Sequence, residues 1–413
     1  MKFARLKLEN WQQFGLVDLE FSPHVTVLTG ANGSGKTTIL RVLASHFGWG
    51  SRLLSKPVRS QDGFRFVFRD EPESERTRGH VQEGIVGEIS YSNGHGSQIR
   101  ATVERNSPHY APAILNKASV RGFFIPSHRR AFRYEQITSI RTQSVDWKAH
   151  AFREIQCCLQ NLTESQGAGN VTNLPIKDVL LHLMFFGYGN AVIPPEPDLL
   201  TILGEINAIF AKMLPPALGF RSIAVRNRSD VLFETDTGDF LFDAASGGMA
   251  SVLEIALQVY FYGSEGKTFT VLIDEPENHL HASMQRTLLP NLSDAFPDVQ
   301  FIVSTHSPLV ISSVRDSIVY ALRHGEDKKV WATRLDLDDR SGTAGDVLRD
   351  VLGLGATMPV WAENEIERLL EKYVQAGLTK DTAAGFRREM EAAGLGRWVP
   401  DALVTFVQGV ESK

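Results

Sequence analysis

The sequence has little cysteine, no long apolar run and no excess of basic residues, and each shortage excludes a class of protein. Its two cysteines among 413 residues, Cys157 and Cys158, are adjacent, so they form no disulfide framework. The longest apolar stretch, around residues 179–186, is too short to span a bilayer, and residues 1–6 contain no signal-peptide core. A net charge of −5 argues against a surface coated in basic residues for nucleic acid, and leaves room only for a local basic patch. We expect a cytoplasmic protein without a membrane partner.

What is present is the composition of a globular protein, with 43% hydrophobic and 22% charged residues. A chain of this length can hold one large domain or two to three ordinary domains. No period of 20–50 residues repeats, which excludes a solenoid. The mostly helical stretch 147–219 has no sustained heptads, which excludes a long coiled-coil arm.

A phosphate-binding loop is the most specific motif of the chain. It fits the pattern G-x-x-x-x-G-K-[ST], in which glycines allow positive φ and a close approach of the backbone to phosphate oxygens. Lys36 can reach the β- and γ-phosphates, and the Thr37 hydroxyl can ligate Mg²⁺. A buried strand precedes the loop and a helix follows it, which is the geometry of an anion site. The loop consists of Gly30, Ala31, Asn32, Gly33, Ser34, Gly35, Lys36, Thr37 and Thr38.

Two apolar strands end in side chains that suit ATP chemistry. Asp274 and Glu275 follow the strand that begins at Phe269, and ligands bind at such carboxyl ends in open α/β sheets. Asp274 can hold Mg²⁺ through water, and Glu275 can polarise the attacking water. His306 ends the second strand and can reach a γ-phosphate from there, although alone it would be read as structural.

A Ser-Gly-Gly turn at the start of a predicted helix is a second potential phosphate site, because helix N-termini favour anions. It consists of Ser246, Gly247 and Gly248. Taken alone, such a turn more often only caps its helix.

In chain order, the four motifs are the phosphate-binding loop, the Ser-Gly-Gly turn, the Asp274-Glu275 pair and His306. This succession resembles that of the ABC-type ATPases, and within them the RecF, SMC and OLD (overcoming lysogenisation defect) group. The resemblance rests on the amino-acid sequences of three segments: NGSGKTT at 32–38, DEPENHLH at 274–281 and STHSP at 304–308. These segments look like those of standalone AAA-family ATPases of anti-phage operons, such as the Septu PtuA type. The resemblance covers residues 1 to about 325.

The resemblance implies a P-loop NTPase of the α/β class with an ABC-type ATPase head, in which a mixed sheet is joined to an antiparallel β-lobe. A helical insertion and a helical C-terminal tail complete the expected fold. We expect an N-terminal lobe with the Walker A loop, the insertion, a C-terminal lobe with the signature, Walker B and H-loop motifs, and the tail. Their predicted ranges are 1–146, 147–219, 220–343 and 344–413.

Carried over by position, the resemblance implies ATP and Mg²⁺ as cofactors. Residues 30–38 would bind the triphosphate, with Lys36 catalytic, and Thr37 and Asp274 would support the metal. Glu275 would be the catalytic base and His306 the γ-phosphate switch.

The resemblance also implies a nucleotide-sandwich homodimer or higher oligomer. Ser246, Gly247 and Gly248 would contact the nucleotide of the opposite subunit, and residues 277–281 match the D-loop along the dimer interface. Met249 departs from the transporter signature, and Ala282 stands where relatives often carry Pro.

Two positions are weighed separately from these motifs. The Q-loop glutamine cannot be placed, and Gln136 and Gln143 are its candidates. OLD nucleases continue into a Toprim nuclease domain, and Asp336-Leu337-Asp338 fits its short metal-binding pattern. Too little strand-forming sequence follows for that domain, so we interpret this segment as a solvated turn.

The resulting hypothesis is an ATPase that acts as sensor and regulatory subunit of an anti-phage system with a separately encoded effector, a nuclease or a toxin. The alternative is a RecF-like DNA-repair ATPase that binds DNA through the basic residues between Arg121 and Arg141, such as Arg129 and Arg130. A third hypothesis is an antitoxin-like chaperone that restrains a toxin.

Overall fold

The computed structural model divides the chain into two compact units, residues 1–347 and 348–413, which are described separately. The candidate turn Asp336–Asp338 lies outside the described residues, as do Arg130, Arg141 and Gln143. The structure describes residues 1–50, 52–60, 63–69, 81–104, 106–129, 131–140, 146–164, 173–227, 229–263, 268–335, 360–376 and 379–399.

The strands of the first unit are numbered in chain order. They are β1 (Phe3–Trp11), β2 (Phe14–Glu20), β3 (Val25–Gly30), β4 (Leu53–Leu54), β5 (Lys56–Ser60), β6 (Gly63–Val67), β7 (Val81–Tyr91), β8 (Gly96–Glu104), β9 (His109–Tyr110), β10 (Ala113–Leu115), β11 (Gly122–Ile125), β12 (Phe220–Arg226), β13 (Asp230–Thr235), β14 (Phe240–Leu241), β15 (Thr270–Asp274), β16 (Gln300–Ser304), β17 (Ile318–His324) and β18 (Val330–Leu335).

The main sheet has eleven strands in the order β10-β8-β7-β1-β2-β18-β17-β3-β16-β15-β11. Towards one edge, neighbours from β17 to β11 run parallel. Towards the other edge, neighbours from β2 to β10 run antiparallel. The two halves meet at β18, which is antiparallel to β17 and parallel to β2. This arrangement confirms the predicted α/β fold class, with a mixed sheet and an antiparallel β-lobe.

The helices of the first unit follow the same numbering. They are α1 (Lys36–Ala44), α2 (Trp147–Glu164), α3 (Asn173–Tyr188), α4 (Pro197–Met213), α5 (Gly247–Tyr262), α6 (Ala282–Ala295) and α7 (Pro308–Ile311). Three of them, α2 to α4, lie within the stretch expected to be a helical insertion. The boundaries of the four predicted segments stay predictions.

The burial pattern of the strands shows how the main sheet positions a site. Every residue of β3, β15 and β16 is buried, which is typical of parallel strands covered on both faces. In contrast, β8 alternates between exposed and buried residues, as a strand with one solvated face does. In the parallel half, Ser304 pairs with Asp274 on one side and with Leu28 on the other. The carboxyl ends of these three strands therefore form one edge, next to Gly30.

The second unit contains α8 (Val360–Ala376) and α9 (Lys380–Ala392). Thr379 caps the start of α9 in a capping box with Thr382. The helices pack through a small apolar core formed by Ala362, Ile366, Leu369, Phe386, Met390, Leu395 and Val399. A docking or dimer-supporting role for this tail stays a prediction. Among the described residues of both units, no helix is both long and apolar enough to cross a membrane.

Candidate functional site

The phosphate-binding loop connects β3 to α1 and is tightly packed against neighbouring strands. Gly30 has φ 139° and Gly35 has φ 93°. A Cβ at Gly30 would lie 2.3 Å from the carbonyl oxygen of Leu322, and one at Gly35 would lie 2.4 Å from Cζ of Phe14. Gly35 is also the N-cap of α1 and supplies no side-chain hydrogen bond to it. The first amide groups of α1 are therefore left for a ligand, as at other anion-binding helix N-termini.

Lys36 is buried and folds back over the loop that precedes it. It is 5% exposed, and its Nζ donates to the carbonyl oxygens of Gly30 at 2.9 Å and Ala31 at 3.1 Å. Burial lowers the pKa of Lys36, and the carboxylates of Glu275 and Asp274 partly oppose this. The ammonium group thus lies within the loop and beside two acids, where phosphate oxygens could replace the carbonyl partners.

Asp274 meets Thr37 although 237 positions separate them in the chain. Thr37 Oγ1 donates to Oδ2 of Asp274 at 3.0 Å, and the Ser304 hydroxyl also donates to this carboxylate. Asp274 is 3% exposed, and burial raises its pKa, while the bonds from Ser304 and Thr37 oppose that rise. A hydroxyl and a buried carboxylate at this distance are hard oxygen donors of the kind that Mg²⁺ prefers. These two side chains fit a metal ion.

Replacing Asp274 with Asn is expected to stabilise the nucleotide-free protein. The unfolded chain has the ordinary pKa near 4, so with a raised folded pKa the ionised carboxylate opposes folding, and stability falls as pH rises between the two values. Asn removes this charge. We expect a melting midpoint about 2 °C higher at pH 7, without the further rise that Mg²⁺ and ATP give the wild type. Differential scanning fluorimetry measures both shifts.

The matched control is Asp294→Asn on α6, where the carboxylate is 70% exposed. It should leave both the midpoint and the response to Mg²⁺ and ATP unchanged. An Asp274→Asn protein that keeps the full response would show that this carboxylate holds no metal.

Glu275 has a strained backbone and a carboxylate that is held from two sides. Its φ of 48° is in the left-handed region, which costs a non-glycine residue about 1–2 kcal/mol. Its amide donates to the carbonyl oxygen of Ser304 at 3.0 Å. His306 Nε2 lies 3.1 Å from one carboxylate oxygen, and Asn278 Nδ2 donates to the other at 3.1 Å. The carboxylate is thereby fixed beside Asp274.

Glu277 anchors the turn that carries His306. One of its carboxylate oxygens accepts hydrogen bonds from the amide of His306 and the hydroxyl of Thr305, both at 2.7 Å, and from the amide of Ser307 at 3.2 Å. The sequence assigned Glu277 only to the D-loop and did not predict this contact. The sequence did contain a signal for it. Glu277 stands two positions after Glu275, and the turn that follows a neighbouring buried strand has backbone amides that need an acceptor.

The Ser-Gly-Gly turn lies against the segment that follows Glu275. Ser246 is the N-cap of α5 and accepts from the amide of Met249 at 3.4 Å. A Cβ at Gly248 would lie 2.9 Å from the carbonyl oxygen of His279, a residue with φ 71°. Within the described part of the chain, no hydrogen bond joins this turn to the phosphate-binding loop. The structure therefore brings Thr37, Asp274, Glu275 and His306 together and leaves the Ser-Gly-Gly turn outside that group.

Among its described residues, the basic neighbourhood predicted between Arg121 and Arg141 does not form one continuous basic surface. Arg129 is 5% exposed and donates to backbone oxygens on both sides of Glu275, so its assignment to a DNA-binding surface is wrong. Arg121 lies 5.7 Å from the ring centroid of Tyr262. A count of local charges failed here because the loop after β11 turns into the protein. Arg133 is exposed.

The Q-loop candidate Gln136 lies elsewhere. It is exposed and lines a cavity of about 210 Å³ with residues of α2 and α3, including Glu154 and Cys158. The loop that does reach the carboxylates follows β11: the carbonyl oxygen of Ser127 accepts a hydrogen bond from Asn278 at 3.2 Å. Asn278 therefore connects this loop to Glu275, a contact that the sequence did not predict.

Two family models match the chain. One is described as an AAA domain and matches residues 5–154, which include the phosphate-binding loop. The other is described as an AAA domain, putative AbiEii toxin, Type IV TA system, and matches residues 208–312. This second range includes Ser246, Asp274 and His306.

Three curated proteins illustrate what the chain is similar to. It is 24% identical to the Septu protein PtuA of Bacillus thuringiensis, over 89% of each chain. It is 25% identical to the OLD nuclease of Thermus scotoductus, over 88% of this chain and 69% of that protein. It is 31% identical to the DNA replication and repair protein RecF of Pseudarthrobacter chlorophenolicus, over 34% of this chain and 36% of that protein.

Proposed function

Since the chain is an ABC-type ATPase of the OLD, RecF and SMC group and hydrolyses ATP, we propose that the edge formed by β3, β15 and β16 is its hydrolytic site. One observation carries the proposal: side chains from three separate stretches, Thr37, Asp274 with Glu275, and His306, meet at this edge. Residues 30–38 would hold the triphosphate by the amides and the dipole of α1.

Each side chain has a role in this proposal. The Lys36 ammonium exchanges the carbonyl oxygens of Gly30 and Ala31 for β- and γ-phosphate oxygens. Glu275 accepts the proton of the attacking water, in the orientation that Asn278 and His306 give its carboxylate. His306 contacts the γ-phosphate and so reports its presence to the turn anchored by Glu277. Thr37 and Asp274 would hold Mg²⁺, which would neutralise charge that develops on the phosphate oxygens.

A dimer is part of the proposal. The Ser246–Gly248 turn has hydrogen bonds within α5 and packs on His279 of its own chain, so its α5 amides are not used by the nucleotide loop of the same chain. We propose that this turn contacts the nucleotide held by a second copy. ATP then favours the closed dimer only by binding it better than the open form, and hydrolysis through Glu275 reopens it.

We further propose that the dimer is the sensor and regulatory subunit of an anti-phage system, with a nuclease or toxin encoded separately. The similarity to PtuA over 89% of both chains supports this reading, because it extends beyond the segment between residues 30 and 308 that holds the ATPase motifs. RecF-like binding of DNA is the second candidate, supported by the 31% identity to a RecF protein over one third of this chain.

Co-purification of the tagged full chain from its native operon, with mass spectrometry of the eluate, is expected to yield a stoichiometric second protein. The Lys36→Met variant is purified in parallel for comparison. If the amount of the second protein that co-purifies depends on nucleotide, its binding is linked to the nucleotide state of the ATPase. A dimer that carries duplex DNA and no protein would contradict the regulatory proposal.

The RecF-like candidate has its own discriminating measurement. Duplex DNA should then stimulate hydrolysis, with an affinity that falls steeply as salt increases. Arg133→Glu tests this surface, because Arg133 is exposed whereas Arg129 is buried and unsuited to the test.

A further inference from the structure

A buried guanidinium, that of Arg129, lies between the signature helix α5 and the turn that carries Glu275. It is 5% exposed, and its Nε donates to the hydroxyl of Ser251 at 2.9 Å. Its Nη1 donates to the carbonyl oxygen of Pro126 at 2.9 Å, which fixes it to its own loop after β11. Arg129 is therefore attached to α5 at one end and to the sheet edge at the other.

The other contacts of Arg129 go to the backbone of the catalytic turn. Its Nη2 donates to the carbonyl oxygens of Glu275 at 3.0 Å and Pro276 at 3.3 Å, and Nη1 lies 3.5 Å from that of Asp274. Three successive carbonyl groups thus face one planar cation. This is the segment in which Glu275 has φ 48°, so the guanidinium holds a backbone conformation that residues with a Cβ seldom adopt.

The charges around Arg129 also connect it to α5. Among the described residues, its hydrogen bonds go to neutral oxygens rather than to a carboxylate. Burial lowers its pKa, and the largest opposing influence is the carboxylate of Glu254, which is 1% exposed and lies on α5 one turn beyond Ser251. One residue of α5, Ser251, thus contacts this arginine, and a second, Glu254, favours its charged form, while Ser246–Gly248 form the start of that helix.

We propose that Arg129 is a positioning residue that couples the start of α5 to the carboxylate of Glu275. The inference rests on the proposed function, because it assumes that Glu275 activates water and that the Ser246–Gly248 turn binds nucleotide. A ligand at that turn fixes the first turns of α5, and Ser251 and Arg129 convey this to the backbone of Glu275. Hydrolysis is thereby favoured when α5 is engaged. Only the planar fork of arginine reaches both sides, so lysine is not an equivalent replacement.

The first test is Arg129→Lys, which keeps the charge and removes the fork. We expect kcat for ATP hydrolysis to fall about 100-fold, as for small misplacements of catalytic groups. The KM for ATP and the Kd for a fluorescent ATP analogue should stay within about threefold of wild type, because the described contacts of Arg129 go to Ser251 and to backbone carbonyl oxygens and not to residues 30–38. The matched control is Arg153→Lys on α2, an exposed arginine, which should leave kcat unchanged.

The second test separates a coupling role from a general structural one. Ser251→Ala removes the link to α5 and leaves the contacts to residues 274–276, and we expect kcat to fall about tenfold. If both residues act through one link, the double variant should lose no more than Arg129→Lys alone. Losses that multiply to about 1,000-fold would show independent effects and overturn the proposal.

The other possible outcomes of these experiments also test the coupling role of Arg129. Wild-type kcat in Arg129→Lys, or a parallel loss of ATP binding, would overturn the coupling role. If Arg129→Lys does not fold, as judged by its melting midpoint, wild-type kcat in Ser251→Ala would do the same. Failure of the proposed function looks different, because then Glu275→Gln would hydrolyse ATP as fast as wild type.

Discussion

Glu275→Gln is expected to lower kcat for ATP hydrolysis by about a thousandfold while ATP remains bound. The amide cannot accept the proton of the attacking water, but it has the size of the carboxylate and can still accept from Asn278. Lys36 and Thr37 are unchanged in this variant, so affinity for ATP should stay close to that of wild type. With hydrolysis blocked, the closed dimer should accumulate.

The measurement is phosphate release in single turnover, paired with size-exclusion chromatography in the presence of Mg²⁺ and ATP. We expect a dimer that persists through the column, whereas wild type returns to its nucleotide-free state. Glu326→Gln is a control with an exposed glutamate in the turn after β17, and it should behave as wild type. Equal rates of hydrolysis in Glu275→Gln and wild type would remove Glu275 from the role of base.

The sheet edge was predictable because its chemistry is local to each strand. Asp274 is the last residue of the five-residue strand β15, His306 lies two residues beyond the five-residue strand β16, and the loop before Lys36 has the spacing of a phosphate-binding loop. Parallel strands place such carboxyl ends at one edge. The contact of His306 with Glu275, and the hydrogen bond of Thr37 with Asp274, are consequences of that rule together with the register.

The supporting contacts were not predictable, because they depend on the path of loops. Arg129 follows a strand and precedes another arginine, and the sequence does not indicate that the loop turns inward. The sequence places Glu277 and Asn278 in the D-loop, yet their side chains bind the His306 turn and Glu275 respectively. Polar residues next to a catalytic carboxylate are better assigned by asking which amides and oxygens need partners.

Lys36→Met is expected to abolish the thermal stabilisation by ATP while leaving the nucleotide-free protein intact. Loss of a buried charge-assisted contact to phosphate weakens the binding free energy of ATP by about 3 kcal/mol, which corresponds to a Kd about 100-fold higher. The nucleotide-free protein is affected differently. Burial lowers the pKa of Lys36, so the unfolded chain binds this proton more tightly, and the charge opposes folding below the ordinary pKa near 10.4.

Methionine keeps the buried stem and removes that cost, which offsets the two lost hydrogen bonds to Gly30 and Ala31. The free energy of unfolding without nucleotide should therefore stay within about 1 kcal/mol of wild type, and it should rise less than that of wild type as the pH approaches the ordinary lysine pKa. Chemical denaturation at pH 7 and pH 10 measures this, and ATP titration measures the Kd. Lys117→Met is the matched control. The Nζ of Lys117 is exposed, and its one described hydrogen bond goes to the carbonyl oxygen of Ser45, directly after the C-terminal end of α1. Large destabilisation of nucleotide-free Lys36→Met would mean that the buried ammonium serves the fold of the loop more than it serves phosphate.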